Sequence, residues 1–236
     1  MEIKISIAKT AKYAVAYSGD SCDIAERPHG GISAILADGQ GSGLSAHHTS
    51  TWVVNKAISL ITDGARDGAV ARAVHDYLYA MKDKKVSCTL TVLSADLETE
   101  TVVISRNSNC PVIIKTDEYV SIYDDDVNPI GVHRHMKPIM YEVPLTAGMI
   151  VVSYTDGIQA AGRKRGGPQA DFKKIMAIIK DNKPEDAEFI AQSILEYALL
   201  MDKNKAGDDM TVVIMGVYER ENSITKVEKL TATYPF

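Results

Sequence analysis

The sequence has few of the features that mark membrane, secreted or thiolate-metal proteins. It contains no apolar run near the roughly 18 residues that a membrane-spanning helix needs. Its first five residues alternate between apolar and polar, unlike the apolar core of a signal peptide. The three cysteines are widely spaced with no CxxC pair, which argues against a disulfide framework or a thiolate zinc site. We therefore expect a soluble, cytoplasmic protein with reduced thiols and no membrane partner.

The chain also lacks an excess of basic residues. It carries 26 lysines and arginines against 31 acidic residues, a formal net charge of -5. Nonspecific nucleic-acid binding needs a basic surface, so we expect no nucleic-acid partner. With 236 residues and 45% hydrophobic composition, the chain can bury a large core. We expect one domain over residues 1–218, followed by a tail or an extra edge strand over 219–236; the sequence does not determine the oligomeric state.

The hydrophobic pattern predicts helices and strands in blocks. Apolar residues at alternate positions predict strands over 3–7 and 13–17. A short apolar run over 31–37 ends at Asp38. The remaining predicted elements are helices at about 44–61 and 67–81, strands between 87 and 154 of which the last is 149–154, helices at about 170–180 and 184–201, and a strand over 210–218. Asp67 is suited to begin the second helix as its N-cap. This order favours mostly antiparallel sheets covered by helical pairs over a doubly wound parallel sheet.

Four acidic turns, each at or near the end of an apolar run, carry most of the chemical information. They are Gly19-Asp20-Ser21, Asp38-Gly39-Gln40-Gly41, Thr155-Asp156-Gly157 and Gly207-Asp208-Asp209-Met210. Hard cations such as Mg²⁺ and Mn²⁺ prefer carboxylate and carbonyl oxygens as ligands, and a neighbouring glycine lets the backbone approach an ion closely. The sequence therefore predicts one metal site that only the folded domain assembles.

These turns, taken in this order, resemble the motifs of the PP2C-type (PPM) metal-dependent protein phosphatases. The resemblance is closest to the bacterial branch of sporulation and stress signalling, of the stage II sporulation protein E, RsbU and RsbX type. Further turns at 107–111 and 128–131 resemble the family's structural turns, so the likeness covers about residues 10–218. It implies an α+β fold, a four-layer α-β-β-α sandwich of two mostly antiparallel sheets flanked by helical pairs.

The resemblance also implies a function and a mechanism. The function is hydrolysis of phosphoserine or phosphothreonine on a small regulatory protein of the anti-sigma-factor-antagonist type, for which a STAS-domain protein is one candidate. The cofactors are two Mn²⁺ or Mg²⁺ ions, which activate a water molecule and neutralise the phosphate. Asp38 would bridge both ions and is the catalytic residue. The ligands implied by motif are Asp20, Asp38, the carbonyl of Gly39, Asp156 and Asp208, with Asp209 as the alternative to Asp208.

Two positions depart from the eukaryotic members of the family. Gln40 stands where those members have a histidine that could protonate the leaving group, and no arginine precedes Asp20 to hold the phosphate. Water, His47 or His48 could take the first role, and His47 is also a candidate substrate contact. Arg163 and Arg165, in a glycine-rich loop after Asp156, are candidate substrate contacts, although a solvated loop would explain them equally well. Two other functions remain open: a catalytically inactive binding module of the same fold, and a metal-dependent phosphoesterase acting on small molecules.

Overall fold

The protein, seen in a computed structural model, is described over residues 1–220 and 227–233, without the side chain of Arg165. Two five-stranded sheets form its centre, and every pair of neighbouring strands within them is antiparallel. The first sheet has the order β1 (Glu2–Thr10), β10 (Met210–Tyr218), β9 (Met149–Tyr154), β6 (Val112–Lys115) and β7 (Val120–Tyr123). The second has the order β2 (Asp20–Glu26), β3 (Gly31–Gly39), β4 (Cys88–Asp96), β5 (Thr101–Asn107) and β8 (Ile139–Pro144).

Helical pairs cover the outer face of each sheet. The helices are α1 (Leu44–Thr62), α2 (Asp67–Met81), the single-turn α3 (Asp156–Gln159), α4 (Phe172–Lys180) and α5 (Ala187–Met201), with 3₁₀ turns at Arg163–Arg165 and Pro184–Asp186. Helices α1 and α2 pack on the second sheet, and α4 and α5 pack on the first. The predicted four-layer sandwich is confirmed.

Three apolar clusters hold the layers together. The central one lies between the sheets and includes Leu36 and Leu93 of one sheet and Val151 and Val213 of the other. The two outer clusters lie under the helical pairs. The strands that are buried on both faces, β9 and most of β10, are apolar except for Ser153 and Thr211, as expected for strands covered by another layer on each side. The rigid strand ends of this sandwich carry the acidic turns.

Two local predictions were wrong. Residues 13–17 form turns rather than a strand: the backbone of Ala14 has a φ of 63°, and the N–H of Val15 closes a turn onto the Lys12 carbonyl. Asp67 is not the N-cap of α2, since Arg66 occupies that position. The Asp67 carboxylate is instead buried in an ion pair with Arg27, 3.2 Å away. Tertiary pairing overrode the local capping preference there.

The C-terminal tail is described only in part. Residues 219–220 and 227–233 contain neither helix nor strand, and the boundary at residue 218 stays a prediction. Within the described ranges, the helices are all too short or too polar to cross a bilayer. The three cysteines are free thiols, and Cys88 and Cys110 are buried.

Candidate metal centre and groove

Asp20 and Asp38 lie directly opposite each other on the neighbouring strands β2 and β3. Side chains at such a position share one face of the sheet, and two like charges there destabilise it. Burial, opposed by two hydrogen bonds and reinforced by neighbouring carboxylates, raises the pKa of Asp20 to about 7. Burial and the carboxylates of Asp20, Asp156, Asp208 and Asp209 raise the pKa of Asp38 to about 8. A cation between these side chains would offset both the burial of the two carboxylates and the repulsion between them.

Two threonines orient the Asp20 carboxylate. The hydroxyls of Thr155 and Thr211 each donate a hydrogen bond of 2.7 Å to its Oδ2. Thr155 is itself held, because its hydroxyl accepts a hydrogen bond of 3.0 Å from the Thr211 N–H. The other oxygen, Oδ1, is buried and has no hydrogen-bond partner among the described residues. Sequence reasoning missed both threonines as functional residues, although each lies within or beside a quoted motif.

Two glycines bring the acidic turns together. A Cβ at Gly39 would overlap the Ala46 carbonyl, and a Cβ at Gly157 would overlap the Asp209 carbonyl. Helix α1 can therefore pack against the end of β3, and the turn after Asp156 can pack against the loop before β10. The Gly39 N–H also donates to the Gly19 carbonyl at 3.1 Å, which ties the ends of β2 and β3.

Asp208 and Asp209 are adjacent but differ in environment. Asp209 is buried, and its two carboxylate oxygens accept hydrogen bonds of 2.9 Å from the backbone N–H groups of Lys12 and Gly19. Asp208 is partly exposed and forms an ion pair with Lys164. Backbone N–H groups thus bind both oxygens of Asp209. The partner of Asp208 is a lysine, which another cation could replace.

Asp156 follows β9 as the first residue of α3. Asp156 is exposed as a residue, but neighbouring protein atoms partly desolvate its carboxylate and so raise its pKa. The negative charge of Asp208 raises that pKa further. Lys164 and Arg163 act in the opposite direction. Asp156 therefore lies in the same electrostatic neighbourhood as Asp38 and Asp208.

The carboxylates form an open arrangement rather than a closed cage. Across residues 1–220 and 227–233, no three histidine, cysteine, aspartate or glutamate side chains are gathered closely enough to enclose an ion. The chemistry of the donors nevertheless fits a divalent cation, since the oxygens are hard ligands, like charges face one another, and a buried Asp20 oxygen is unpaired. The residues available to hold such an ion are Asp20, Asp38, the carbonyl of Gly39, Asp156 and Asp208.

A groove of about 360 Å³ opens beside Asp38 and Asp156. The two turns at 107–111 and 128–131 contribute to its wall, where the Asn107 side-chain amide donates to the Asn128 carbonyl at 2.9 Å. Arg163 also lines the groove, together with Gln159. The arrangement can therefore place a phosphate ester between the carboxylates and a cationic side chain.

Gln40 and His47 face elsewhere. The Gln40 side chain accepts hydrogen bonds from the N–H and hydroxyl of Ser87. His47 donates from Nδ1 to the Ser18 carbonyl at 2.9 Å and lines a separate cavity of about 190 Å³ with Lys9. The role of His47 in substrate binding stays a prediction, and the side chain of Arg165 lies outside the described part of the chain.

Comparison with known proteins shows which family the chain matches. The family model described as stage II sporulation protein E (SpoIIE) matches residues 28–218. The curated stage II sporulation protein E of Bacillus subtilis (strain 168) is 23% identical over 215 residues, which are 91% of this chain. The chain spans only 26% of the length of that relative.

Solved structures share the fold at low sequence identity. The PP2C phosphatase domain of SpoIIE from Bacillus subtilis, solved with a fragment of its regulatory domain, superposes with a TM-score of 0.79 at 22% identity. That match covers 92% of this chain and 64% of the other. RsbX, solved in complex with magnesium, superposes with a TM-score of 0.70 at 16% identity, over 90% of this chain and 94% of the other. The match to the family model over residues 28–218 shows that this chain belongs to the stage II sporulation protein E (SpoIIE) family.

Proposed function

We propose that this chain is a metal-dependent serine/threonine protein phosphatase that uses two Mn²⁺ or Mg²⁺ ions. The observation that carries the proposal is the facing pair Asp20 and Asp38, with an unpaired buried oxygen, beside a groove lined by Arg163. Membership of the SpoIIE family supports it, and so does the magnesium complex of the structural relative RsbX. The chain corresponds to a quarter of its curated relative, so the activity of that whole protein is not assumed.

The chain's own residues would bind and orient rather than react covalently. Asp20, Asp38, Asp156, Asp208 and the Gly39 carbonyl would hold the ions, and Thr155 and Thr211 would keep Asp20 in one orientation. Bound divalent ions lower the pKa of water and neutralise the charge of a phosphate ester. Arg163 would contact the phosphate from the groove wall, as a guanidinium can do with two parallel hydrogen bonds.

The leaving group would take its proton from water. Gln40 is bound to Ser87 and carries no proton that it could give up near neutral pH. His47 lines the other cavity and is bound to the Ser18 carbonyl. The open groove gives solvent access to the departing serine or threonine oxygen. We infer that neither Gln40 nor His47 replaces the histidine of the eukaryotic members.

We further propose that the substrate is a phosphorylated regulatory protein of the anti-sigma-factor-antagonist type. The family match supports this, since the chain falls within the SpoIIE family and matches, with a TM-score of 0.73, the crystal structure of the RsbU and RsbW domains of Rv1364c from Mycobacterium tuberculosis. Asp38, Asp156 and Arg163 line the groove, where they would meet a phosphorylated side chain presented by a folded protein.

The decisive experiment measures phosphate release with and without metal. Purified chain should hydrolyse p-nitrophenyl phosphate and a phosphoserine peptide in Mn²⁺ or Mg²⁺ and lose both activities in EDTA. Asp38→Asn should abolish hydrolysis, whereas Asp23→Asn should not, because Asp23 is an exposed residue of the same strand, β2.

Each alternative has its own outcome. Folded protein that binds phosphoprotein without releasing phosphate would indicate an inactive binding module. Release of phosphate from nucleotides or sugar phosphates, with no release from a phosphoprotein, would indicate a small-molecule phosphoesterase. Full activity of a folded Asp38→Asn variant would refute the proposed mechanism.

A further inference from the structure

Lys164 forms an ion pair with one of the candidate metal ligands. It lies in the 3₁₀ turn Arg163–Arg165, and its ammonium contacts Oδ2 of Asp208. The other oxygen of that carboxylate, Oδ1, accepts a hydrogen bond of 3.2 Å from the N–H of Asp209. Both oxygens of Asp208 are therefore engaged, one of them by a cation.

A buried carboxylate supports this contact from below. Asp202, just after α5, is 1% exposed. Its Oδ1 accepts a hydrogen bond of 2.7 Å from the Gly162 N–H, and its Oδ2 accepts one of 2.5 Å from the Gly207 N–H. The residue before the basic turn and the residue before Asp208 are thus fixed to the same side chain.

The stem of Lys164 also has a defined position. A Cβ built at Gly207 would lie 3.3 Å from the Cβ of Lys164, so the lysine packs against the loop that carries Asp208. The side chain is nevertheless 48% exposed, and that of Asp208 is 27% exposed. A lysine held at its base but solvated at its tip can leave a carboxylate at small cost, since such ion pairs contribute little.

Lys164 and a divalent ion would compete for the same ligand. The ammonium fills one approach to Oδ2 and adds a like charge beside an incoming cation, so it opposes coordination there. The positive charge of Lys164 is near Asp156 as well, where it opposes the rise in that residue's pKa. Two of the candidate ligands, Asp156 and Asp208, therefore lie close to the positive charge of the same lysine.

We propose that Lys164 is an internal counter-ion of the metal site, which an incoming divalent ion must displace from Asp208. This inference rests on the proposed metal site and concerns its affinity rather than its chemistry. Removing the lysine should therefore strengthen metal binding, whereas removing a phosphate ligand would weaken substrate binding and leave metal binding unchanged.

The test is a Mn²⁺ titration of the full chain, with free Mn²⁺ measured from its electron paramagnetic resonance signal. Lys164→Ala should bind Mn²⁺ about two- to fivefold more tightly than the natural chain, the range expected for a partly exposed ion pair. Lys164→Arg, which keeps the charge, should stay close to the natural chain. Lys173→Ala, which removes an exposed charge on α4, is the matched control and should change nothing.

A double-mutant cycle assigns the effect to Asp208. In an Asp208→Asn background, Lys164→Ala should raise the Mn²⁺ affinity clearly less, because only the effect of its charge on Asp156 remains. Unchanged or weaker Mn²⁺ binding by folded Lys164→Ala protein would overturn the inference, as would an equal gain in both backgrounds. Urea unfolding in EDTA checks the fold of each variant, and Lys164→Met, which keeps the apolar stem, replaces the alanine variant if that variant unfolds.

The failure of this inference differs from failure of the proposed function. Natural chain that binds Mn²⁺ but releases no phosphate would refute the phosphatase and leave the affinity comparison valid. Natural chain that binds no Mn²⁺ would overturn the inference together with its premise. Equal Mn²⁺ affinities in an active enzyme would refute the inference alone.

Discussion

The Asp209 carboxylate accepts a hydrogen bond from the backbone N–H of Gly19, 190 positions earlier in the chain, at a distance of 2.9 Å. Its second oxygen accepts one from the Lys12 N–H. This carboxylate therefore fastens the segment before β2 to the loop before β10, so that Asp20 and Asp208 lie on connected supports. The two adjacent aspartates consequently have separable roles: Asp209 holds the fold together, and Asp208 is available to the proposed ion.

The first prediction separates those two aspartates. Asp209→Ala should lower the free energy of unfolding by about 2–4 kcal/mol, because two backbone donors lose their acceptor. Asp208→Ala should cost less than about 1 kcal/mol, since it removes a partly exposed ion pair and one long hydrogen bond from the N–H of the next residue. Urea unfolding in EDTA measures both. Asp208→Ala should instead weaken Mn²⁺ binding, and the assignment is wrong if Asp208→Ala is the more destabilised variant.

The second prediction concerns the threonines that orient Asp20. Thr155→Val and Thr211→Val keep the side-chain shape but remove hydrogen bonds to its Oδ2. Each should lower Mn²⁺ affinity or kcat by about 10- to 100-fold, as is typical when a ligand loses its supporting partner. Thr62→Val, at an exposed position of α1, is the control. Unchanged metal affinity and turnover in both variants would show that Asp20 needs no such support.

The third prediction tests the close approach at Gly157. Alanine there would place its Cβ against the Asp209 carbonyl, so the two loops would have to separate. Gly157→Ala should destabilise the fold by about 1–3 kcal/mol and lower activity. Gly167→Ala is the matched control, because its Cβ would have only ordinary contacts. Gly157→Ala protein as stable as the natural chain would contradict the packing described here.

The fourth prediction is a pH dependence of stability that arises at His75. This residue of α2 is buried, and its Nδ1 accepts a hydrogen bond of 3.1 Å from the Gly131 N–H. Burial lowers its pKa below the ordinary value of 6.5, aided by His133 and opposed by Asp76, whose carboxylate is 4.0 Å from Nε2. The ring of Tyr79 packs beside it.

Because the folded pKa is lowered, the unfolded chain binds the proton first as the pH falls. The contribution of His75 to stability is therefore complete above pH 6.5 and is lost below it, by at most about 1.4 kcal/mol per pH unit. Urea unfolding at pH 7.5 and 5.5 should show a smaller difference in His75→Gln than in the natural chain. His29→Gln, an exposed site, should retain the full difference, and an unchanged difference in His75→Gln would remove His75 as the cause.

Local patterns predicted much of the fold. Helices α1 and α2, and strands β9 and β10, lie within a residue or two of the predicted positions. The helices have a clear apolar periodicity, and the two strands are nearly unbroken apolar runs. The prediction of a strand over 13–17 was wrong, because alternation in a short segment does not reveal a turn with a positive φ at Ala14. The prediction of Asp67 as an N-cap was wrong because Arg27, 40 positions away, binds its carboxylate.

The acidic turns could be found in the sequence because an aspartate beside a glycine at a strand end is a local feature. Their contacts could not be found in this way. Which of Asp208 and Asp209 is available depends on backbone groups nearly 200 positions earlier, and the bonds from Thr155 and Thr211 to Asp20 depend on how the two sheets pack. The sequence by itself thus determined the chemical types at the site and the layers that carry them. Only the tertiary structure decided the pairing of Asp20 with Asp38, the engagement of Asp209 and the ion pair of Lys164, because strand register and long-range packing choose among partners that local preferences leave equivalent.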